Sequence, residues 1–171
     1  EISTNVLDND AAGILIQPSG SEYLRVFEDD STALDGLRYA VYTVVLTRPP
    51  EEEVRVKAIP VLPNETELAA GGEGIYVANE SEHSDGIWKE GGTSLLFDRT
   101  NWYQEQKIYI AAPDDSLAEG LRYIKIQHSV VQGQDDSDGD AYDKLAAKTM
   151  VVEVVDNDQA GVLIIPTDSD T

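Results

Sequence analysis

The 171-residue sequence contains no cysteine, and this absence excludes both disulfides and thiolate metal sites. A secreted form would have to gain its stability elsewhere, and bound calcium is a common substitute. Basic residues are also scarce, at 12 against 33 acidic residues, which gives a formal net charge of -21. Because such a charge repels phosphate and anionic lipid headgroups, we expect no nucleic-acid partner and favour divalent cations instead.

Long apolar runs and catalytic signatures are absent as well. No stretch approaches the roughly 20 apolar residues of a membrane span. The sequence has no Gly-x-Ser-x-Gly motif, phosphate-binding loop or zinc ligand set. Of its two histidines, His128 falls on the same alternating phase as Ile124 and Ile126, which indicates a satisfied core or rim residue. We therefore predict that the chain is not an enzyme.

The chain repeats part of itself near its two ends. Val154–Ile164 repeats Val6–Ile16 at an offset of 148 residues (154 − 6). Each copy reads as an apolar strand, Asp-Asn-Asp, a small turn and a second apolar strand. This pattern predicts a domain at 11–158. Residues 1–10 are then the end of a preceding repeat or a terminal extension, and 159–171 are the start of the next repeat or a donor strand.

Strand signals dominate the region between the two copies. Tyr39–Leu46 is β-branched and aromatic, which predicts a central strand, and Glu53–Ile59 alternates as a half-buried strand does. Arg122–Val131 also alternates. About seven such segments, separated by Gly, Pro, Asp and Ser clusters, predict an all-β antiparallel sandwich. The glycine-rich segment 60–92 is interpreted as a long excursion between strands that holds a small hairpin.

Acidic residues occur mainly where the predicted strands end. They follow the strands at 24–27 and 108–112 and the last strand of the domain. The carboxylates at these three positions are Glu28; Asp114, Asp115 and Glu119; and Asp156 and Asp158. If the three ends meet at one pole of the sandwich, they offer the oxygen ligands that calcium prefers. The alternative is that these acids only terminate strands and form turns.

The order of these motifs resembles the Calx-β domain, a family found in sodium/calcium exchangers, in integrin β4 and in many surface proteins. The resemblance covers roughly residues 11–158. The matching pieces are Val26-Phe27-Glu28, Ile108-Tyr109-Ile110 with Asp114-Asp115 and Glu119-Gly120, and Val152 to Asp158. The continuation Gln159-Ala160-Gly161-Val162 looks like the start of another repeat of this kind.

The resemblance implies an immunoglobulin-like Greek-key sandwich and, in some members, calcium at one pole. Carried over by motif position, the implied calcium ligands are Glu28, Asp114, Asp115, Glu119, Asp156 and Asp158. The chain departs from the family at two places. The usual aspartate after the third strand has no match in the sequence at 60–64, and the terminal acidic triplet carries Asn157 at its centre.

Two further signals lie in the 60–92 segment. Asn64-Glu65-Thr66 and Asn79-Glu80-Ser81 are N-glycosylation sequons, which we expect to be accessible there. Trp88, among glycines, is the better candidate for stacking against a sugar, whereas Trp102 precedes a strand and is expected to cap the core.

Together these features predict a structural, calcium-binding repeat or subunit of an extracellular or cell-surface adhesin, stalk or fibril. Its expected partners are neighbouring copies of the same domain. Two alternatives stay open, namely a carbohydrate-binding surface module and a filament subunit that donates a terminal strand without functional calcium.

Overall fold

The computed structural model describes residues 11–19, 24–28, 38–69, 72–136 and 139–158. The predicted flanking segments 1–10 and 159–171 therefore lie outside the described residues. Within the described ranges the chain forms nine strands and two short helices. In chain order they are β1 (Ile14–Pro18), β2 (Leu24–Phe27), β3 (Ala40–Leu46), β4 (Val54–Pro60), α1 (Glu65–Ala69), β5 (Tyr76–Asn79), α2 (Glu80–Ser84), β6 (Thr93–Phe97), β7 (Gln106–Ala111), β8 (Leu121–Gln132) and β9 (Met150–Val155).

The strands form two sheets, in the orders β1-β3-β7-β5 and β2-β9-β8-β4-β6. The predicted all-β sandwich is confirmed, with nine strands in the described part of the chain instead of about seven. One pairing corrects the antiparallel expectation, since β2 runs parallel to β9. A parallel pair needs a long connection, here most of the domain, so the local sequence pattern carries no sign of it.

Apolar side chains from both sheets meet in one core. In β4 the side chains of Val54, Val56 and Ala58 are buried, while the intervening Arg55 and Lys57 face solvent, as the alternation predicts. The interior position of β3 in its sheet is also confirmed.

The 60–92 segment is more regular than expected. Besides the expected hairpin contact it contains α1, β5 and α2, and β5 pairs with β7 at the edge of the four-stranded sheet. Lys89 forms an isolated bridge with Val77. Both helices are only five residues long, which is too short for periodicity to reveal. No helix within the described ranges has the length and apolar character needed to cross a membrane.

The strand directions bring the ends of several strands to the same end of the sandwich. Parallel β2 and β9 end side by side, and β8 starts at the same end because it is antiparallel to β9. The residue after β2, Glu28, also forms a parallel bridge with Ala112, the residue after β7. This bridge joins the two sheets at the end where the predicted acidic residues lie.

Candidate metal centre

The centre is built around the paired ends of β2 and β9. Phe27 lies opposite Val155 in the last step of the parallel ladder. The ladder continues one step further, since the Glu28 amide donates to the Val155 carbonyl at 3.0 Å. Glu28 and Asp156 therefore follow neighbouring strands at the same level.

Three carboxylates converge at this point. One oxygen from each of Glu28, Asp156 and Asp158 lies within 4.8 Å of the others. Glu28 is buried, with 3% of its surface exposed, and the two aspartates are half-buried. The Asp158 amide donates to Asp156 Oδ1 at 2.6 Å, and this bond turns the chain so that both aspartates face the same point.

Asp156 also holds the loop that leads into β8. Its Oδ2 accepts hydrogen bonds from the Glu119 amide at 2.5 Å and the Gly120 amide at 2.7 Å. Gly120 has a φ of +73°, a conformation that favours glycine. The bonds from the amides of Gly120, Asp158 and Glu119 lower the pKa of Asp156, because they stabilise its charged form.

Asn157 connects the β7 end to the same cluster. Its Nδ2 donates to Asp114 Oδ1 at 2.8 Å and to the Glu28 carbonyl at 3.2 Å. The amide in the middle of the terminal triplet thus contacts a carboxylate that a third aspartate would repel. Next to Asp114, Asp115 Oδ1 accepts a bond from the Leu117 amide at 2.6 Å, which shapes the loop before β8.

The sequence reasoning missed one residue of the centre, Arg122 at the start of β8. Its Nη2 donates to Glu28 Oε1 and lies 2.7 Å from Glu119 Oε2, while its Nη1 donates to the Glu73 carbonyl at 2.5 Å. The side chains are 17% exposed for Arg122, 1% for Glu28 and 3% for Glu119. The sequence feature that could have indicated Arg122 is its position three residues after Glu119, close to the acidic residues that follow the β7 strand.

Burial dominates the electrostatics of the two glutamates. It raises the pKa of Glu28, and the Arg122 guanidinium opposes this effect while the charges of Asp156 and Asp115 add to it. The pKa of Glu119 is raised in the same way, by burial first, with Arg122 again opposing.

Direct contacts thus connect five of the six carboxylates predicted from the strand ends, while Asp115 lies in the adjoining loop before β8; we call the six together the acidic pole. Its members are Glu28, Asp114, Asp115, Glu119, Asp156 and Asp158. Glu28 Oε2 and Glu119 Oε1 are among the buried oxygens of the pole that have no hydrogen-bond partner among the described residues. Carboxylate oxygens of this kind, at irregular positions, can hold a hard divalent cation. Glu28, Asp156 and Asp158 are the best placed to do so.

The two sequons occupy different environments. Asn64 is exposed, and its amide oxygen accepts bonds from the Thr66 and Glu67 amides. The expected accessibility is wrong for Asn79, which is half-buried and caps α2. Its Oδ1 accepts from the Glu82 amide at 3.0 Å, and its Nδ2, the atom that would carry a glycan, donates to the Ser94 carbonyl at 3.1 Å.

Trp88 belongs to an aromatic cluster on the four-stranded sheet. His83 stacks on Tyr109 with ring centres 3.9 Å apart, and Trp88 meets the edge of His83 at 5.5 Å. Tyr39, half exposed, packs edge-on against both His83 and Tyr109. Trp102 packs against the core, as predicted.

His128 is a satisfied half-buried residue, as its strand phase predicts. Its Nδ1 lies 2.8 Å from the Lys148 carbonyl and its Nε2 lies 2.8 Å from the Tyr42 hydroxyl. Because a carbonyl can only accept, Nδ1 carries the proton of the neutral ring and Nε2 accepts from Tyr42.

The fold and the acidic pole define an all-β sandwich domain with a carboxylate-rich end. No protein-family model matches the chain, and no curated protein matches it. Among solved structures, the chain is similar to the crystal structure of the apo form of the Calx CBD1 domain. That match has 15% identity and a TM-score of 0.46, and covers 85% of this chain and 98% of the other. A second similarity, to the N-terminal domain of PorA, has 9% identity and a TM-score of 0.36, with the same coverage.

Proposed function

We propose that the chain is a structural, non-catalytic module of an extracellular or cell-surface adhesin, stalk or fibril. In this proposal calcium binds the acidic pole and fixes the junction between one module and the next. The observation that carries the proposal is the convergence of Glu28, Asp156 and Asp158 within 4.8 Å at the end of the last strand.

The chemistry of the pole favours calcium among the common cations. Calcium takes about six to eight oxygen ligands and tolerates irregular geometry, whereas magnesium demands a near-ideal octahedron. The pole offers only oxygens, from carboxylates and nearby carbonyls, on loops that follow three different strands. Carboxylates this close repel one another without a cation, so binding would turn repulsion into cross-linking.

The position of the pole supports a role at a junction. Asp156 and Asp158 recur as Asp8 and Asp10 in the first copy of the repeat, and Val162–Pro166 corresponds to β1 at the same offset. In a tandem array, only residues 156–161 would then lie between β9 of one module and the first strand of the next. A cation held by Asp156 and Asp158 would therefore constrain the linker itself.

A chain with two consecutive 148-residue modules tests this proposal directly. Small-angle scattering in excess calcium should give a larger and more uniform maximum dimension than in chelator, with magnesium as the cation control. A single module should keep its dimensions in both. If calcium changes neither the two-module shape nor its melting temperature, the calcium role is wrong and the module is a passive spacer.

Neighbouring copies need not be covalently joined. Because Val162–Pro166 repeats the edge strand β1, this segment can also be proposed to take the place of β1 beside β3 of a second copy, as in donor-strand assembly. The intact mass of the native protein separates the two cases. A multi-repeat chain supports the tandem array, and a mass near one module supports a filament of separate subunits.

The aromatic cluster favours a second candidate function, carbohydrate binding. Tyr39 and Trp88 are the outer rings of this cluster. Charged groups lie beside it, since Tyr109 donates to the Glu80 carboxylate at 2.8 Å and Lys107 pairs with Glu80. Rings next to charged hydrogen-bonding groups suit sugars. Trp88→Ala should then abolish binding to a glycan array. The matched control is Tyr103→Ala, which removes an exposed aromatic ring elsewhere; equal binding by all three proteins would contradict this function.

A further inference from the structure

Arg122 is a basic side chain placed among the carboxylates of the acidic pole. We infer that Arg122 is the resident counter-cation of this pole and that a divalent cation binds in competition with it. Arg122 would thus set the cation concentration at which the site fills. The inference rests on the proposed cation site, and it assigns a role to a residue that contributes no ligand oxygen.

The contacts of Arg122 hold its charge in a fixed place. One nitrogen, Nη2, contacts both Glu28 Oε1 and Glu119 Oε2, and the other, Nη1, donates to the Glu73 carbonyl. The guanidinium is planar, so these contacts fix its orientation as well as its position. Its 17% exposure means that solvent screens the charge only in part.

The pole retains capacity for a second cation despite this pairing. Glu28 uses Oε1 for Arg122, while its buried Oε2 has no hydrogen-bond partner among the described residues. Glu119 Oε1 is buried and unpartnered in the same sense. Oxygens buried without a partner cost free energy, and a cation would remove that cost.

Arg122 and a divalent cation oppose each other because they share Glu28. A cation bound between Glu28, Asp156 and Asp158 shares the Glu28 carboxylate with the guanidinium, and the two positive charges repel across that short distance. Arg122 therefore lowers the affinity for the cation. The expected range is the weak one typical of extracellular calcium modules, about 10⁻⁴–10⁻³ M.

A second ion pair on the same two strands provides a matched control. Arg25 on β2 pairs with Glu153 on β9 at 3.0 Å, on the exposed face and away from the cluster. Arg25→Gln and Arg122→Gln each remove one positive charge from the chain. Long-range effects of net charge should be similar in both, so a difference between them reports the local contact.

Isothermal titration of CaCl₂ into the 171-residue chain tests the inference. Arg122→Gln should bind calcium about tenfold more tightly than wild type, because the local repulsion is gone, and Arg25→Gln should stay within about twofold. Arg122→Lys keeps the charge and should stay closer to wild type than Arg122→Gln does. If Arg122→Gln is unfolded in chelator, the calcium concentration that restores its circular dichroism signal replaces the titration midpoint.

A measurement on the unmodified protein covers the case in which the variants do not fold. In a calcium titration followed by NMR, the Nε–H signal of Arg122 should shift in step with binding, and that of Arg25 should not. An Arg122 signal that stays unchanged at saturating calcium would overturn the competition.

The outcomes separate the inference from the proposed function. If wild type binds calcium and Arg122→Gln binds it more tightly, both the inference and the proposed calcium site are supported. Equal binding overturns the inference and leaves the calcium site standing. Binding by Arg122→Gln alone supports the inference and refutes a calcium role in the natural chain, and binding by neither overturns both.

Discussion

Replacing Glu28 by glutamine should abolish the calcium response while keeping the fold. Glu28→Gln preserves the shape of the most buried carboxylate at the acidic pole, and its amide oxygen can still accept from Arg122. It removes the charge that a calcium ion would neutralise. The folded protein already resists that charge, since burial raises the pKa of Glu28.

The stabilisation by calcium and the stability lost on removing the Glu28 charge can be told apart by their expected magnitudes. At about 100 times its dissociation constant, calcium stabilises the folded wild type by about 2.7 kcal/mol. For a chain of this size that corresponds to a rise of roughly 5–11 °C in melting temperature. Loss of one partner from a buried ion pair costs about 3–5 kcal/mol. Arg122 keeps its contacts with Glu119 and Glu73, so we expect a loss under about 3 kcal/mol in chelator.

The assay is a thermal melt at pH 7.5 followed by circular dichroism, in calcium, in magnesium and in chelator. Glu153→Gln is the control, because it breaks the Arg25 pair on the same two strands outside the acidic pole. A surface pair of this kind contributes about 0–1 kcal/mol, so this variant should keep the whole calcium response.

One result would refute the reasoning about Glu28. If Glu28→Gln shows the wild-type rise in calcium, its carboxylate is not a ligand, whatever the stability in chelator. If wild type and both variants melt at the same temperature with and without calcium, the whole pole serves only to shape the loops.

Two other predictions concern buried hydrogen bonds away from the pole. Burial lowers the pKa of His128 in the folded state. As the pH is lowered, the unfolded chain therefore takes up a proton before the folded chain does, near pH 6.5. The His128 contribution to stability should be fully present above that pH and should be lost as the pH falls towards the lowered pKa of the folded state. His128→Gln should therefore flatten this part of a plot of melting temperature against pH. An unchanged slope would contradict the His128 contribution. Tyr142→Phe removes the hydroxyl that donates to the Arg48 carbonyl at 2.6 Å from a fully buried ring. Urea unfolding should show a loss of about 1–3 kcal/mol, and a loss near zero would contradict the role of this bond.

The strands could be predicted where burial follows a local pattern. The alternation in β4 and the β-branched run of β3 follow directly from which side chains face the core. The short helices could not be predicted in this way. Helix α2 depends on a capping box between Asn79 and Glu82, and this use of Asn79 also removes the side chain that the sequon suggests is available.

The acidic pole was predictable in membership but not in arrangement. Six strand-end carboxylates could be proposed because acids and turns follow strands, while their role as metal ligands stays a prediction. What brings Glu28 next to Asp156 is the parallel pairing of β2 with β9, between segments more than a hundred residues apart. Arg122 contacts this pair from β8, through a contact that sequence spacing does not encode.

The sequence by itself determined the strand-rich class, the acidic character and the repeat at an offset of 148 residues (154 − 6), since composition, alternation and self-similarity are properties of the chain alone. The tertiary structure decided which strand ends lie side by side, which carboxylates are buried, and that the Arg122 guanidinium contacts two of them. Those outcomes depend on the pairing of distant strands and on burial, because desolvation and charge–charge interactions act through space between residues that lie far apart in the sequence.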